Sequence, residues 1–396
     1  LSRTIYGKPL VYFDNAATSW PKPEATCAAM DRYSRNYGGS PGRSGHSMSI
    51  EAGRIVSDTR ETLAAFFGIG DPFRIVFTKN ATEALNLSMN GLLVPGDHVI
   101  TSSMEHNSVM RPLRGLETKG IELSVIDCSE TGELEPRRIA AAVKKNTRAV
   151  FLTHASNVTG TIMPVQEAGK IAREHGLVFA LDAAQTAGAL PIDIEEMNVD
   201  LLALTGHKSL FGPQGTGGLY MREGLEQRIL PLTTGGTGSR SEFELQPDFM
   251  PDKYESGTMN TVGLAGLGAG VKYVVSEGLE SIRGRESMLT GLFLDGLKSI
   301  RGVCTYGPSD VSGRIPVVSF NVDGMAPSEV SLILDERFGI MSRPGLHCAP
   351  AAHKTIGTFP GGTVRFSFGV FNTEKEIEYA LGALAQLSSR KRRDRR

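Results

Sequence analysis

The sequence predicts an α/β protein: a mostly parallel sheet with helices on both faces, followed by a smaller α/β unit. Three observations carry this. Short apolar runs alternate with helix-like stretches from residue 74 to residue 204, the signature of strand–helix–strand units. Polar residues gather where those runs end: Thr82, His106, Asn157, Asp182, Gln185, His207 and Lys208. Open α/β sheets hold their ligands at that edge. After Lys208 the pattern changes, and a fresh apolar run at 315–321 starts a second unit.

Residues 10–13 make a short strand-like run that stops at Asp14-Asn15-Ala16-Ala17-Thr18. Residues 37–46 are rich in Gly, Ser and Pro, contain Arg43 and His46, and read as a loop, either a linker or the lining of a site. Apolar residues at helical spacing predict a helix over 49–67, with Gly68 after its end. A strand over 74–78 leads through Lys79-Asn80 into a helix start at Ala81-Thr82-Glu83. First-turn amides beside a threonine hydroxyl suit a phosphate, although Thr82 serves equally as a cap. Strands follow over 98–102, 122–126 and 149–153, with helices over 136–144 and 165–175.

Residues 178–181 run apolar into Asp182-Ala183-Ala184-Gln185, and 200–204 run apolar into Thr205-Gly206-His207-Lys208. The glycine-rich stretch 211–218 ends any helical reading, so Lys208 belongs on a turn at a strand end. An acid ending one strand and a lysine ending the next can serve one small-molecule site, which makes Lys208 a candidate Schiff-base lysine. Residues 230–251 are rich in Gly, Thr and Ser. Gly266-Leu267-Gly268 follows no strand, so it suits close helix packing rather than dinucleotide binding. A strand over 364–368 and a helix over 373–387 close the second unit.

Composition bounds the rest. A chain of 396 residues with 40% hydrophobic and 21% charged residues is an ordinary globular protein of more than one domain. No apolar run is long enough for a bilayer and the first residues carry no signal-peptide pattern, so a cytoplasmic enzyme is expected, with no membrane partner. The net charge is −1, yet residues 390–396 hold six basic residues and one acid. That stretch reads as a solvated, disordered tail rather than a nucleic-acid site. Four cysteines, Cys27, Cys128, Cys304 and Cys348, make neither a disulfide framework nor zinc-type spacing, and no metal site is expected.

The telling pieces are Ala81-Thr82-Glu83, Glu105-His106-Asn107, Ser156-Asn157-Val158-Thr159-Gly160, Asp182-Ala183-Ala184-Gln185, Thr205-Gly206-His207-Lys208 and Arg343-Pro344-Gly345-Leu346-His347-Cys348-Ala349. Six such pieces in this order resemble the class V aminotransferase family of fold-type I, pyridoxal 5'-phosphate enzymes, specifically its cysteine desulfurase branch of the SufS type. The resemblance implies a large domain over 26–257 with a mostly parallel seven-stranded sheet. It implies a small domain from 1–25 and 258–389, then the tail 390–396. Pro344-Gly345-Leu346-His347 before the cysteine and Pro350 after Ala349 depart from the pattern usual in that branch.

The resemblance also implies roles. Lys208 carries the cofactor and then moves a proton. Asp182 pairs with the pyridinium nitrogen, His106 stacks on the ring, and Gln185 bonds the ring oxygen. The Ala81 amide, Thr82, Thr205 and His207 take the phosphate. Thr258 reaches the phosphate of the other subunit, which implies a homodimer. Cys348, flanked by Arg343 and further on by Arg365, is the nucleophile; a positive neighbourhood favours the thiolate. Arg365 forks onto the substrate carboxylate with help from Asn157, and Arg343 and His46 lie near the substrate. The reaction implied turns L-cysteine into L-alanine, holds the sulfur as a Cys348 persulfide and hands it to a sulfur-acceptor protein. L-selenocysteine is an alternative substrate; other readings are a transaminase or epimerase of the same family, or a non-catalytic scaffold.

Overall fold

The computed structural model describes residues 4–393 apart from 6, 43 and 44, so Arg43 and the last three residues of the basic stretch lie outside the described residues. Seven strands form the main sheet: β1 (Ile75–Thr78), β2 (His98–Ser102), β3 (Glu122–Ile126), β4 (Thr147–Thr153), β5 (Val178–Asp182), β6 (Leu201–Thr205) and β7 (Gly217–Met221). Their order across the sheet is β1-β7-β6-β5-β4-β2-β3. Only β7 runs against its neighbours, pairing antiparallel with both β1 and β6.

The strands read as unbroken apolar runs because both faces of the sheet are covered. Alternate residues serve two separate cores. Ile100, Val150, Leu152, Phe179, Leu181, Leu202 and Leu204 point into one, against the helices Ser47–Phe66, Val165–Glu174 and Thr261–Glu277. Val99, Phe151, Val178, Ala180, Leu201 and Ala203 point into the other, against Ala81–Leu92 and Asn107–Glu117. The period of two along each strand sorts the side chains.

The second sheet orders Val303–Tyr306, Val317–Val322, Thr363–Ser367 and Arg343–Gly345, all antiparallel. Its core is aromatic: Phe293 stacks on Phe366 at 5.2 Å between centroids, and Phe13 meets Phe368 edge-on at 5.0 Å. The N-terminal run joins this unit, Val11–Tyr12 pairing in parallel with Ile340–Met341.

Three features differ from the sequence reading. β7 lies partly in the stretch read only as a glycine-rich breaker. Two glycines begin it because a Cβ at Gly217 would lie 2.7 Å from the Asn80 Cα; the sheet needs that bare backbone for close approach. The helix Thr261–Glu277, placed by sequence in the small domain, buries Leu264, Leu267 and Val271 in a core of the main sheet. Its glycines let neighbouring helices close in: Gly266 faces Met30, and a Cβ at Gly268 would lie 2.8 Å from Thr59 Oγ1. Finally, the closing helix runs Glu374–Arg393, so the first part of the stretch read as a disordered tail is helical. Among the described residues no helix is long and apolar enough to cross a membrane.

Candidate active site

A cavity of about 240 Å³ opens at the carboxyl ends of β4, β5 and β6. It collects Ala81, Thr82, His106, Asn157, Asp182, Gln185, Thr205, His207, Lys208, Arg343 and Arg365 at one place. Eleven of the residues singled out in sequence therefore share one wall. Cys348, His46 and Thr258 do not, although Cys348 directly follows His347, which lines the cavity. His46 is exposed and caps the helix Ser47–Phe66 by accepting from the Ser49 amide. Thr258 is exposed beside a different cavity, of about 470 Å³, with Lys79 and Asn260.

The turn after β6 is built to present Lys208. Gly206 packs on the Thr216 hydroxyl so closely that no side chain fits there. Lys22 Nζ and Thr18 Oγ1 donate to the His207 carbonyl at 2.8 and 3.0 Å, and Ser19 Oγ donates to the Lys208 carbonyl at 2.8 Å. The lysine head is left to the cavity. Burial pushes its ammonium down to about 8 against the opposing pull of Asp182, with Arg365 and Arg343 adding to the fall.

Asp182 ends β5, 4% exposed, with Oδ1 accepting from the Ala184 amide at 2.9 Å. Burial raises its carboxyl above the ordinary aspartate range, while the Ala184 bond and the Lys208 charge pull it back. A cation placed against this carboxylate would settle its charge. Gln185 donates to the Ala16 carbonyl at 3.1 Å.

His106 caps the helix Asn107–Glu117: its Nδ1 accepts from the Ser108 amide at 3.1 Å and lies 2.8 Å from Ser108 Oγ. Burial, then the neighbouring Lys208, pushes this imidazole down to about 4. The ring is neutral at pH 7 and, with Nδ1 accepting, carries its proton on Nε2. Ser108, whose Oγ also lies 2.6 Å from Thr82 Oγ1, was not singled out in sequence. A serine at the second position after a capping histidine is its only local signal.

One end of the cavity is rich in donors without acceptors. Thr205 Oγ1 and His207 Nδ1 are buried with no protein partner. The helix Ala81–Leu92 aims its first turn here, where the amides of Ala81 and Thr82 have no acceptor within the helix. Asn80 caps the same turn by accepting from the Glu83 amide at 2.9 Å. Burial and the adjacent Lys208 push His207 down to about 4. These groups suit an anion.

At the other end stands Arg365, 1% exposed. Its fork differs from the sequence expectation. Nη1 donates to the Asn157 carbonyl at 3.0 Å and Nη2 to Asp14 Oδ1 at 2.8 Å, while Nε is buried without a partner. Asp14 thus orients the guanidinium, a function its place in Asp14-Asn15-Ala16-Ala17 did not reveal.

Cys348 is exposed, and Arg343 Nη2 lies 3.7 Å from its Sγ. His347 and Cys348 both adopt left-handed backbone, with φ of 49° and 58°. Two such residues in succession cost of order 1–3 kcal/mol each and need outside support. Three bonds supply it. Asn157 Nδ2 donates to the His347 carbonyl at 2.7 Å, the Asn107 amide donates to the Cys348 carbonyl at 2.8 Å, and His347 Nε2 pairs with Thr363 Oγ1 at 3.0 Å. Asn157 therefore serves the cysteine turn through its amide, where sequence placed it beside Arg365 on the substrate.

Known proteins are similar to this chain along nearly its whole length. A probable cysteine desulfurase of Methanothermobacter thermautotrophicus is 37% identical over 375 residues, spanning 93% of this chain and 92% of that protein. A cysteine desulfurase of Yersinia pseudotuberculosis is 33% identical, spanning 98% of this chain and 95% of that protein. The apo structure of the cysteine desulfurase from Thermococcus onnurineus NA1 superposes with a TM-score of 0.90 at 37% identity, covering 96% of this chain and 95% of that one. The family model described as aminotransferase class-V matches residues 11–380, from the N-terminal strand to the closing helix. With a lysine, an acid and a histidine at the strand ends of a fold matched throughout, the chain belongs to the class-V aminotransferase family.

Proposed function

We propose that this chain is a pyridoxal 5'-phosphate-dependent cysteine desulfurase that converts L-cysteine to L-alanine and keeps the sulfur as a persulfide on Cys348. The observation that carries this reading is the convergence on one cavity of Lys208, Asp182 and a donor-rich end, with Cys348 beside Arg343 at its rim. The donor set fits the cofactor: unpartnered Thr205 Oγ1 and His207 Nδ1 and the amides of Ala81 and Thr82 would hold its phosphate. Asp182 would hold the ring nitrogen, His106 would cover the ring face, and Gln185 would bond the ring oxygen. When bound, the group supplies an electron sink next to the substrate Cα.

The chain's own residues do the rest. Arg365, oriented by Asp14, offers Nε to the substrate carboxylate. The Lys208 amine takes the Cα proton and later returns one to carbon. The Cys348 thiolate attacks the substrate sulfur. An S–S bond forms, the Cβ–S bond breaks, and its electron pair ends in a C–H bond of alanine. The short turn between Gly345 and Pro350 supports the SufS-like subtype. A homodimer belongs to the same proposal, because His46 and Thr258 are exposed and stand apart from the Lys208 cavity within one chain.

Incubation of the purified protein with L-cysteine tests the reading. It should form alanine and leave one added sulfur on the Cys348 peptide, read by mass. Cysteine turned over without that added sulfur would overturn it.

The lysine makes a sharper test. Held at about 8, Lys208 is about one-tenth free amine at pH 7 and about nine-tenths at pH 9. Capture of pyridoxal phosphate by cofactor-free protein, followed by its visible absorbance, should quicken about tenfold over that span and then level off. A rate still climbing steeply beyond pH 9 would mark a lysine at its ordinary value. For the cysteine turn, Asn157→Ala removes the bond to the His347 carbonyl and should lower turnover about tenfold, the equivalent of about 1.4 kcal/mol. Cofactor absorbance should stay unchanged in that variant.

A further inference from the structure

The Cys348 turn is a partition between two spaces. On one side is the cavity with Lys208, bounded by His106 and His347. On the other is an open groove of about 680 Å³, bounded by Asn107 and Pro350 and continuing over the helices Asn107–Glu117 and Pro350–Thr355. The same two segments, 106–107 and 347–350, wall both spaces. The bond from the Asn107 amide to the Cys348 carbonyl, 2.8 Å, ties them together. Thr355 Oγ1 braces the groove floor by donating to Ser103 Oγ at 2.9 Å. Exposed Cys348 sits on this partition in the chain, between His347, which lines the cavity, and Pro350, which lines the groove.

The channel is positively charged. Arg111, Arg114 and Lys354 line it against one acid, Asp127. Arg114 is bound by Glu117 at 2.7 Å, and Asp127 lies 3.8 Å from Arg138. Arg111 and Lys354 are both exposed. Among the described residues neither has an ion-pair partner; Lys354 rests over the Phe359 ring at 5.1 Å. Two cations without an ion pair therefore line the groove beside the Cys348 turn. Such a channel draws anionic partners and repels cationic ones.

Building on the desulfurase reading, we propose that this groove docks an acidic polypeptide segment presenting a cysteine, which takes the sulfur from Cys348. The transfer needs no outside oxidant. The acceptor thiolate attacks the outer sulfur of the Cys348 persulfide, a new S–S bond forms, and the old one breaks with its pair left on the Cys348 thiolate. The acceptor leaves as the persulfide. Met110 and Val125 give the groove apolar contact, and Arg111 and Lys354 give it sign.

The test uses the cofactor-loaded enzyme charged with L-cysteine and then freed of excess substrate. Discharge of the persulfide is timed with three probes: a glutamate-rich peptide carrying one cysteine, its lysine-rich counterpart, and β-mercaptoethanol. The acidic peptide should discharge the enzyme about tenfold faster than the lysine peptide at low salt, and the gap should close as salt rises. The double variant Arg111→Glu with Lys354→Glu should invert the preference between peptides and leave alanine formation and discharge by β-mercaptoethanol unchanged. Equal rates with both peptides, or a preference that the double variant leaves in place, would overturn the groove while leaving the desulfurase reading intact. A protein that forms no persulfide at all would overturn both.

Discussion

Replacing Lys208 by alanine should lower turnover of L-cysteine by about 10²–10⁴-fold, the scale of a lost proton-transfer group. The variant should still bind pyridoxal phosphate, because Thr205, His207 and the first-turn amides of Ala81 and Thr82 are untouched. Borohydride should no longer fix the cofactor to the protein. The fold should survive, since the turn is held by bonds from Thr18, Ser19 and Lys22 to backbone carbonyls rather than by the lysine head. Borohydride fixation equal to the parent's would mean that another amine carries the cofactor.

Replacing Cys348 by alanine should separate two halves of the chemistry. Sulfur transfer should fall by at least about 10³-fold, as when a nucleophile that works within a unit is removed. Cofactor colour and exchange of the substrate Cα proton with solvent deuterium should persist, because Lys208 and Asp182 remain. The other cysteines are poor substitutes. Burial pushes the Cys128 thiol up to about 11, so little of it is thiolate at neutral pH. Cys27 on the helix Glu24–Asn36 and Cys304 on the strand Val303–Tyr306 adjoin no residue that lines the Lys208 cavity, whereas Cys348 follows His347 and has Arg343 3.7 Å from its Sγ. Full sulfide release by the variant would remove Cys348 from the reaction and favour another activity of the family.

Much of the site was legible because parallel strands deliver their ends to one edge. Asp182 and Lys208 could be paired from sequence because each follows a fully buried run, and neighbouring runs of that kind end side by side. What escaped depends on contacts between distant segments or on bare backbone. Asp14 meets Arg365 across 351 positions, and no local pattern announces such a pair. β7 opens with two glycines, which weaken a strand reading although the sheet requires them. The glycines of Thr261–Glu277 announced close helix packing but not the partner, which is a core of the main sheet. Asn157 was placed in the right cavity with a different contact, since a side-chain amide reaches whichever carbonyl the turn presents. His46 and Thr258 stand exposed outside the Lys208 cavity of the single chain.

The bond between Asp14 and Arg365 also bears on how the protein is made. Asp14 holds a residue 351 positions further on, and Val11–Tyr12 pairs with a strand that begins at Ile340. On the ribosome the Lys208 edge of the sheet can form while that anchor has nothing to hold. The opening segment must wait, unpaired, through most of translation, because contacts this distant in sequence close late. Completing the pocket therefore waits for the C-terminal unit, and a truncated chain lacking its final quarter would carry Lys208 without Arg343 and Arg365 on the cavity wall.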